Sequence, residues 1–403
     1  MSTTPITVAV IGLGNMGTQH ARTLASLPGV ELVALCDAAP GRAETVSREV
    51  GSGTALTSVE ELWNLPGSGP DAVVIATPHY DHVPLGLEAL SRGKHILVEK
   101  PIAVHGKAAR QLVAGIHAAQ SADPRIVAAA MFNQRSWGHW QKIRRMIQDG
   151  ALGTLVRATW IITDWFRTQR YYDTGGWRAT WAGEGGGVLL NQCPHNLDLY
   201  QWFFGMPARI RGFAGIARYH TIEVEDEVTA YFEHENGMVG HFITSTGESP
   251  GTNRLEIVGE MGKLVFEDGK LTFWRNSRSM LEEIRTSHKA FTVVDHQQEE
   301  VAFTWDGSGG HREILENFVA AIRGEEPLLA PAAEGIHSVT LANGIMQSSF
   351  DGATVTLPLD EDRYEKHLQQ LIAGSTFRKA APGGADPAGG TAAGPADDFS
   401  SSF

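Results

Sequence analysis

The chain has 403 residues, a length that suits two domains better than one hydrophobic core. At 42% hydrophobic and 20% charged, its composition is that of a globular protein. Its net charge of −13 disfavours nucleic acid and anionic membrane as partners, since both repel an acidic surface. The two cysteines, Cys36 and Cys193, lie in no C-x-x-C pair, so buried thiols in a reducing cytosol are expected. The N-terminal stretch carries no charged region ahead of a cleavable apolar run. No run is apolar enough to span a bilayer. A cytoplasmic location is expected.

In chain order, Ile6 to Gly14 is apolar on both faces and predicts a buried strand, followed by helical periodicity from Thr18 to Leu27. Val30 to Asp37 predicts a second strand, and Gly41 to Val50 a helix. Asp71 to Pro78 is another buried strand, His82 to Gly93 a helix, Lys94 to Pro101 a strand and Lys107 to Gln120 a helix. Repeated βαβ units imply an α/β Rossmann domain with a doubly wound parallel sheet over residues 1–125. Ile126 to Asn133 is a last strand-like run leading into a second domain, 126–373. There the runs at Gly153–Asp164, Arg209–Ala217, Asp226–His234, Gly237–Ser245, Asn253–Gly259, Lys263–Phe266 and Lys270–Trp274 predict strands. Turns such as Glu235-Asn236-Gly237 join antiparallel neighbours. An α+β fold with a large, mostly antiparallel open sheet is expected, accompanied by helices at Gly187–Phe204 and His311–Ile322. Residues 374–403, rich in Gly, Ala, Pro and Ser, predict a disordered tail.

Gly12-Leu13-Gly14-Asn15-Met16-Gly17 is a G-x-G-x-x-G set between strand and helix. The first glycine allows a tight turn, the second a close approach to a pyrophosphate, and the third helix packing on the strand. The helix N-terminus offers free N–H groups to phosphates. Asp37, ending the second strand, is placed to bind ribose hydroxyls and repel a 2′-phosphate. That favours NAD over NADP. Arg42 is read as an exposed helix-surface residue. The bland alternative, a glycine turn in another α/β fold, leaves Asp37 unexplained.

Glu99-Lys100-Pro101 follows a strand whose carboxyl end is where ligands collect in such sheets. Lys100 is placed to stabilise a developing alkoxide, and Pro101 suggests a specific turn with a cis bond. Thr77, Pro78, His79 and His82 lie at another strand end, within reach of the cofactor. A metal pair at the two histidines is disfavoured, because no acid or cysteine cluster accompanies them. Asn191, His195, Asp198 and Trp202 recur at helical spacing after Gly185-Gly186-Gly187. His195 has a side chain suited to taking a hydroxyl proton, although a buried structural histidine is the commoner case.

With these motifs in order, residues 6 to 360 resemble the Gfo/Idh/MocA family of glucose–fructose oxidoreductase and inositol dehydrogenase. The closing segment Asn317 to Leu359 is part of the likeness. The resemblance implies catalysis by Lys100 and His195, Trp177-Arg178 near the nicotinamide, and Met131 to Arg135, with Asn133, bordering the pocket. It also implies oligomer contacts through the open sheet, hence a homodimer or homotetramer. Where the inositol dehydrogenase-like pattern has an aspartate, this chain has Asn191, which supplies no negative charge but is still expected in the pocket.

Between Trp160 and Trp181 the chain is rich in aromatics, among them Trp165 and Tyr172, with Arg167, Arg170 and Arg178 interleaved. Aromatic faces suit sugar rings, although sheet domains also bury aromatics routinely. The expected activity is oxidation of a secondary hydroxyl of a sugar, glycoside or cyclitol by hydride transfer to nicotinamide. Two rivals remain: an NAD-dependent glycosidase using transient oxidation, and a non-enzymatic dinucleotide-sensing regulator.

Overall fold

The computed structural model describes residues 4–67, 69–174 and 176–378. The first part runs β1 (Ile6–Ile11), α1 (Asn15–Ser26), β2 (Val30–Cys36), α2 (Arg42–Val50), β3 (Thr54–Leu56) and α3 (Val59–Trp63). It continues β4 (Ala72–Ile75), α4 (His82–Ser91), β5 (His95–Val98), α5 (Gly106–Ala122) and β6 (Ala128–Ala130). All six strands are parallel, in the order β3-β2-β1-β4-β5-β6. Helices cover both faces, so central residues such as Val8, Val10, Val74 and Leu97 are fully buried. The strand order reverses beside β1, making the switch point where such sheets bind ligands.

Register concentrates chemistry there. Ile11 pairs with Cys36 and Ile75, Ile75 with Val98, and Val98 with Ala130. The residues that follow, Gly12, Asp37, Ala76-Thr77, Glu99-Lys100 and Met131, therefore emerge on one edge. The parallel sheet thus extends past residue 125, because β6 pairs with β5.

The second part begins with α6 (Gly138–Gln148), β7 (Leu155–Ile162), α7 (Gln169–Asp173) and α8 (Pro194–Phe204). Then come β8 (Arg209–Ile216), β9 (Glu225–Glu233), β10 (Val239–Ser245), β11 (Asn253–Gly259), β12 (Gly262–Glu267) and β13 (Lys270–Asn276). The chain closes with α9 (Met280–Thr286), β14 (His296–Glu300), α10 (His311–Ile322), α11 (Gly335–Asp351), β15 (Val355–Thr356) and α12 (Glu361–Gly374). Nine strands form one sheet, β14-β13-β12-β11-β7-β10-β9-β8-β15, antiparallel except for β7 beside β10. Burial alternates along β9, β10 and β11, so one face is covered. Trp140, Trp160, Phe232, Phe242 and helix α8 fill that side. The other face carries ion pairs such as Arg157–Glu256 and Arg254–Glu267.

Two expectations about helices need correcting. The helix read from Gly187 starts instead at Pro194, which sits at its first position, where a missing N–H is harmless. The preceding residues are held as turns because the Val188 N–H donates to the Glu225 carbonyl (2.9 Å) and the Leu189 N–H to its carboxylate (3.1 Å). Helix α10 does not accompany the large sheet. It packs against α1, and its Ile314, Leu315, Phe318 and Val319 join the core of the parallel sheet. Among the described residues no helix is long and apolar enough to cross a membrane. From residue 379 onward the predicted tail lies outside the described residues.

Candidate active site

The glycine loop leaves β1 at the switch point. Gly12 has φ +86°, and a Cβ there would lie 2.7 Å from the Ala76 backbone. On Gly17 a Cβ would come within 1.8 Å of the Gly12 carbonyl oxygen, so only glycine lets α1 sit this close. Gly14 differs: a Cβ there would meet no protein atom within 4 Å. Gly14 also caps α1 without a side-chain hydrogen bond, leaving the N–H groups at Asn15 and Met16 without a cap from that side chain. An open approach to a positive helix end fits a pyrophosphate. Asp37 accepts from the Leu13 N–H at 2.7 Å and the Ala39 N–H at 2.8 Å, which fixes its carboxylate beside the loop. The residues present fit a dinucleotide. Arg42 is not the exposed residue expected. It is partly buried, donating to the Leu13 carbonyl (2.6 Å) and the Thr18 hydroxyl (2.9 Å).

Lys100 follows β5 on the same edge, through a cis Lys100–Pro101 bond. Its Nζ donates to the Asn191 carbonyl oxygen at 2.8 Å. The Asn191 amide donates to the buried Glu184 carboxylate, and its Oδ1 accepts from the Tyr171 hydroxyl at 3.3 Å. That hydroxyl accepts from Arg178 Nη1 at 2.7 Å and Gln192 Nε2 at 3.1 Å. The other Glu184 oxygen accepts from the Ala179 N–H at 2.6 Å. A lysine from one sheet and a polar network from the other domain thus meet at the carboxyl edge of the parallel sheet.

Electrostatics tune this cluster. Burial pushes the Lys100 ammonium below the usual lysine range, Glu99 opposes that, and Arg178 adds to it. Burial alone would raise the Glu99 carboxyl. Its hydrogen bond to His20 (2.7 Å), together with the charges of His20 and Lys100, instead holds it down at about 2. His195, the second residue of α8, is 8% exposed, and its buried Nδ1 has no partner among the described residues. Burial first, then the charges of Lys100 and His311, push it well below the usual histidine range. At neutral pH His195 therefore keeps a lone pair. His311, which opens α10, is lowered to about 4, chiefly by burial.

The remaining predicted residues divide. His79 is drawn in: its Nδ1 lies 3.1 Å from the Glu184 carbonyl, and its ring meets the edge of Trp177 at 5.2 Å. Arg178 lies 4.9 Å over Trp177 and 4.8 Å over Tyr171. His82 is committed to protein carbonyls instead. It is fully buried, with its ring nitrogens 2.8 Å from the carbonyls of Thr77 and Pro101, so it braces the loops after β4 and β5. Tyr172 turns into the second domain, where its hydroxyl donates to Thr246 at 2.8 Å, and its neighbour Tyr171 reaches Asn191 instead. Trp165 lies on the strap between β7 and α7, under Arg167. Asn133 holds the Gly309 carbonyl just ahead of His311. Asp198, on the expected polar stripe, is taken up by a buried two-pronged pair with Arg135 (2.6 and 2.7 Å), and Arg135 also reaches Glu334 at 2.6 Å. Among the described residues no group of three metal-binding side chains could hold a metal.

Sequence does not single out Glu184, Gln192, His20 or His311, and within the aromatic stretch it does not choose Tyr171 over Tyr172. Glu184 carried one signal, a lone carboxylate within Gly183-Glu184-Gly185 ahead of Asn191. Gln192 adjoins Asn191, whereas His20 and His311 are brought in by tertiary contacts from distant segments.

Two family models match the chain. One, an oxidoreductase family with an NAD-binding Rossmann fold, covers residues 6–124. The other, the GFO/IDH/MocA C-terminal domain, covers residues 140–265. The chain belongs to the Gfo/Idh/MocA family. As a member it is a nicotinamide-dependent oxidoreductase of the class acting on CH–OH groups. A family relative, scyllo-inositol 2-dehydrogenase (NAD(+)) of Bacillus subtilis, is 28% identical over 64% of this chain and 72% of its own. D-glucoside 3-dehydrogenase of Escherichia coli is 25% identical over 89% of this chain and 99% of its own. The Gfo/Idh/MocA fold also superposes on the WlbA dehydrogenase of Bordetella pertussis, solved with NADH and UDP-GlcNAcA. There the TM-score is 0.72 at 23% identity, over 88% of this chain and 100% of that one.

Proposed function

We propose that the protein is an NAD-dependent dehydrogenase that oxidises a secondary hydroxyl of a sugar, glycoside or cyclitol. The observation that carries this reading is the junction of Lys100 with the Asn191 turn, at the sheet edge that also bears the glycine loop. Bound nicotinamide supplies the hydride acceptor. Lys100 donates to the substrate oxygen and stabilises the negative charge that develops there as the C–H bond breaks. His195, neutral at working pH, takes the hydroxyl proton. Asn191 orients Lys100 through its carbonyl and the substrate through its amide end, while Glu184 beside it supplies a carboxylate that asparagine lacks.

Trp177, Arg178, His79, Thr77 and Pro78 border the nicotinamide end, and Trp165 and Asn133 border the substrate. Asp37 selects NAD over NADP by binding the ribose hydroxyls. The relatives' names, an inositol and a glucoside dehydrogenase, support a polyhydroxylated ring as substrate. We also propose cytoplasmic residence, and a homodimer or homotetramer built on the uncovered face of the nine-stranded sheet.

Lys100→Ala tests the assignment. Turnover falls roughly 100-fold or more, the range for losing a positioned charge stabiliser, while NAD binding, read by calorimetry, persists. Near-normal turnover would contradict it.

A further inference from the structure

The strap between β7 and α7 carries a charge that alcohol oxidation does not require. Arg167 is partly buried there. Its guanidinium lies 5.7 Å from the Trp165 ring centre and 5.2 Å from that of Tyr171, so aromatic rings flank it. Its Nη1 donates to the Phe166 carbonyl at 2.9 Å, but its buried Nε has no partner among the described residues. The indole N–H of Trp165 is also buried without a partner. Asp164, whose carboxylate feels the Arg167 charge, accepts from Asn253 Nδ2 at 3.1 Å and makes no ion pair with Arg167.

Arg167 stands one phenol ring from the active site. The Tyr171 hydroxyl meets Asn191 at 3.3 Å, and Asn191 meets Lys100 at 2.8 Å. Arg178 flanks the same ring at 4.8 Å. Two guanidiniums thus flank Tyr171, and Lys100 lies beyond Asn191. The buried carboxylate among them, Glu184, is already engaged by Ala179 and Asn191. A partly desolvated guanidinium with an unsatisfied donor favours an incoming acceptor, and its planar fork matches a carboxylate.

We propose that Arg167, with the Trp165 indole N–H beside it, forms an anion subsite, and that the substrate is a carboxylated sugar. The hydroxyl to be oxidised faces Lys100, and the carboxylate on the far part of the ring pairs with Arg167. This rests on the dehydrogenase reading, but its test separates the two.

Methyl glycosides of glucose, galactose and mannose are assayed with NAD against the matching methyl glycuronides, using wild type, Arg167→Gln and Trp165→Phe. Binding of each compound to NADH-loaded enzyme is measured in parallel by calorimetry. In at least one pair the acid is preferred in kcat/KM on the order of tenfold or more, and Arg167→Gln removes most of that ratio, as expected for losing a charge-assisted hydrogen bond. Trp165→Phe, which keeps an aromatic ring and removes the indole N–H, lowers the ratio by a smaller factor. A ratio near one in every pair, or one that neither substitution alters, overturns the subsite and leaves the dehydrogenase reading standing. Should no compound be oxidised, calorimetry decides. Glycuronide binding weakened by Arg167→Gln keeps the subsite and removes the oxidation reading for these sugars, and binding indifferent to Arg167 overturns the subsite.

Discussion

Asp37 uses one lone pair on each oxygen for the N–H groups of Leu13 and Ala39, which leaves each oxygen a second for a ribose hydroxyl. A 2′-phosphate brought to the same place would meet a fixed negative charge. Arg42 complicates this balance, because it is anchored on the same loop, through Leu13 and Thr18, and would remain if Asp37 were removed. Asp37→Ala should therefore weaken NAD roughly 10-fold to 100-fold, the loss expected for hydrogen bonds to a charged group, and weaken NADP much less. Calorimetric titration of both dinucleotides checks it, and an unchanged NAD-to-NADP ratio would contradict the role given to Asp37. Lys100 and His195 show a second residue-scale effect. Burial disfavours the charged form of each, lowering Lys100 from the usual lysine range and keeping His195 neutral.

Elements explain which parts were legible in sequence. The glycine loop, Asp37 and Glu99-Lys100 were readable because each sits at a strand end, and parallel strands in register bring their ends to one edge whatever the tertiary detail. The Gly185–Cys193 turns were not, because non-local hydrogen bonds from Glu225 override an apolar run that otherwise suits a helix. For α10 the apolar stripe announced a buried face but could not say which sheet would bury it. Tyr171 and Tyr172 are adjacent, and only the local turn decides which one faces the site.

Helix α6 carries a buried histidine that titrates on unfolding. His139 stacks on Phe266 at 4.4 Å and packs beside Trp140, and burial lowers it to about 3. Its folded pKa lies below its unfolded value of about 6.5, so the unfolded state binds the extra proton. Stability at this site is intact above that pH and is lost as pH falls through it toward about 3. His139→Phe removes the titration. Between pH 7 and pH 5 the wild type should lose about 2 kcal/mol more than the variant, at about 1.4 kcal/mol per unit below the unfolded pKa. Urea unfolding at both pH values measures this, and equal losses would contradict it.

At the scale of the molecule, the site exists only where the two sheets meet. Lys100 comes from the parallel sheet, His195 from the start of α8, and His311 from a helix late in the chain that packs back on the first core. The buried Arg135–Asp198 pair, with Glu334, ties the segment after β6 to α8 and to the turn before α11 across this junction. That is why a constellation scattered from residue 12 to residue 311 can act as one centre.

Stoichiometry separates alcohol oxidation from its rivals. The enzyme is given NAD and a panel of sugars, glycuronides, glycosides and cyclitols, and NADH and products are counted together. One NADH is expected for each substrate converted to a ketone. Glycoside cleavage without NADH accumulation, or NAD binding with no turnover on any member, would contradict it.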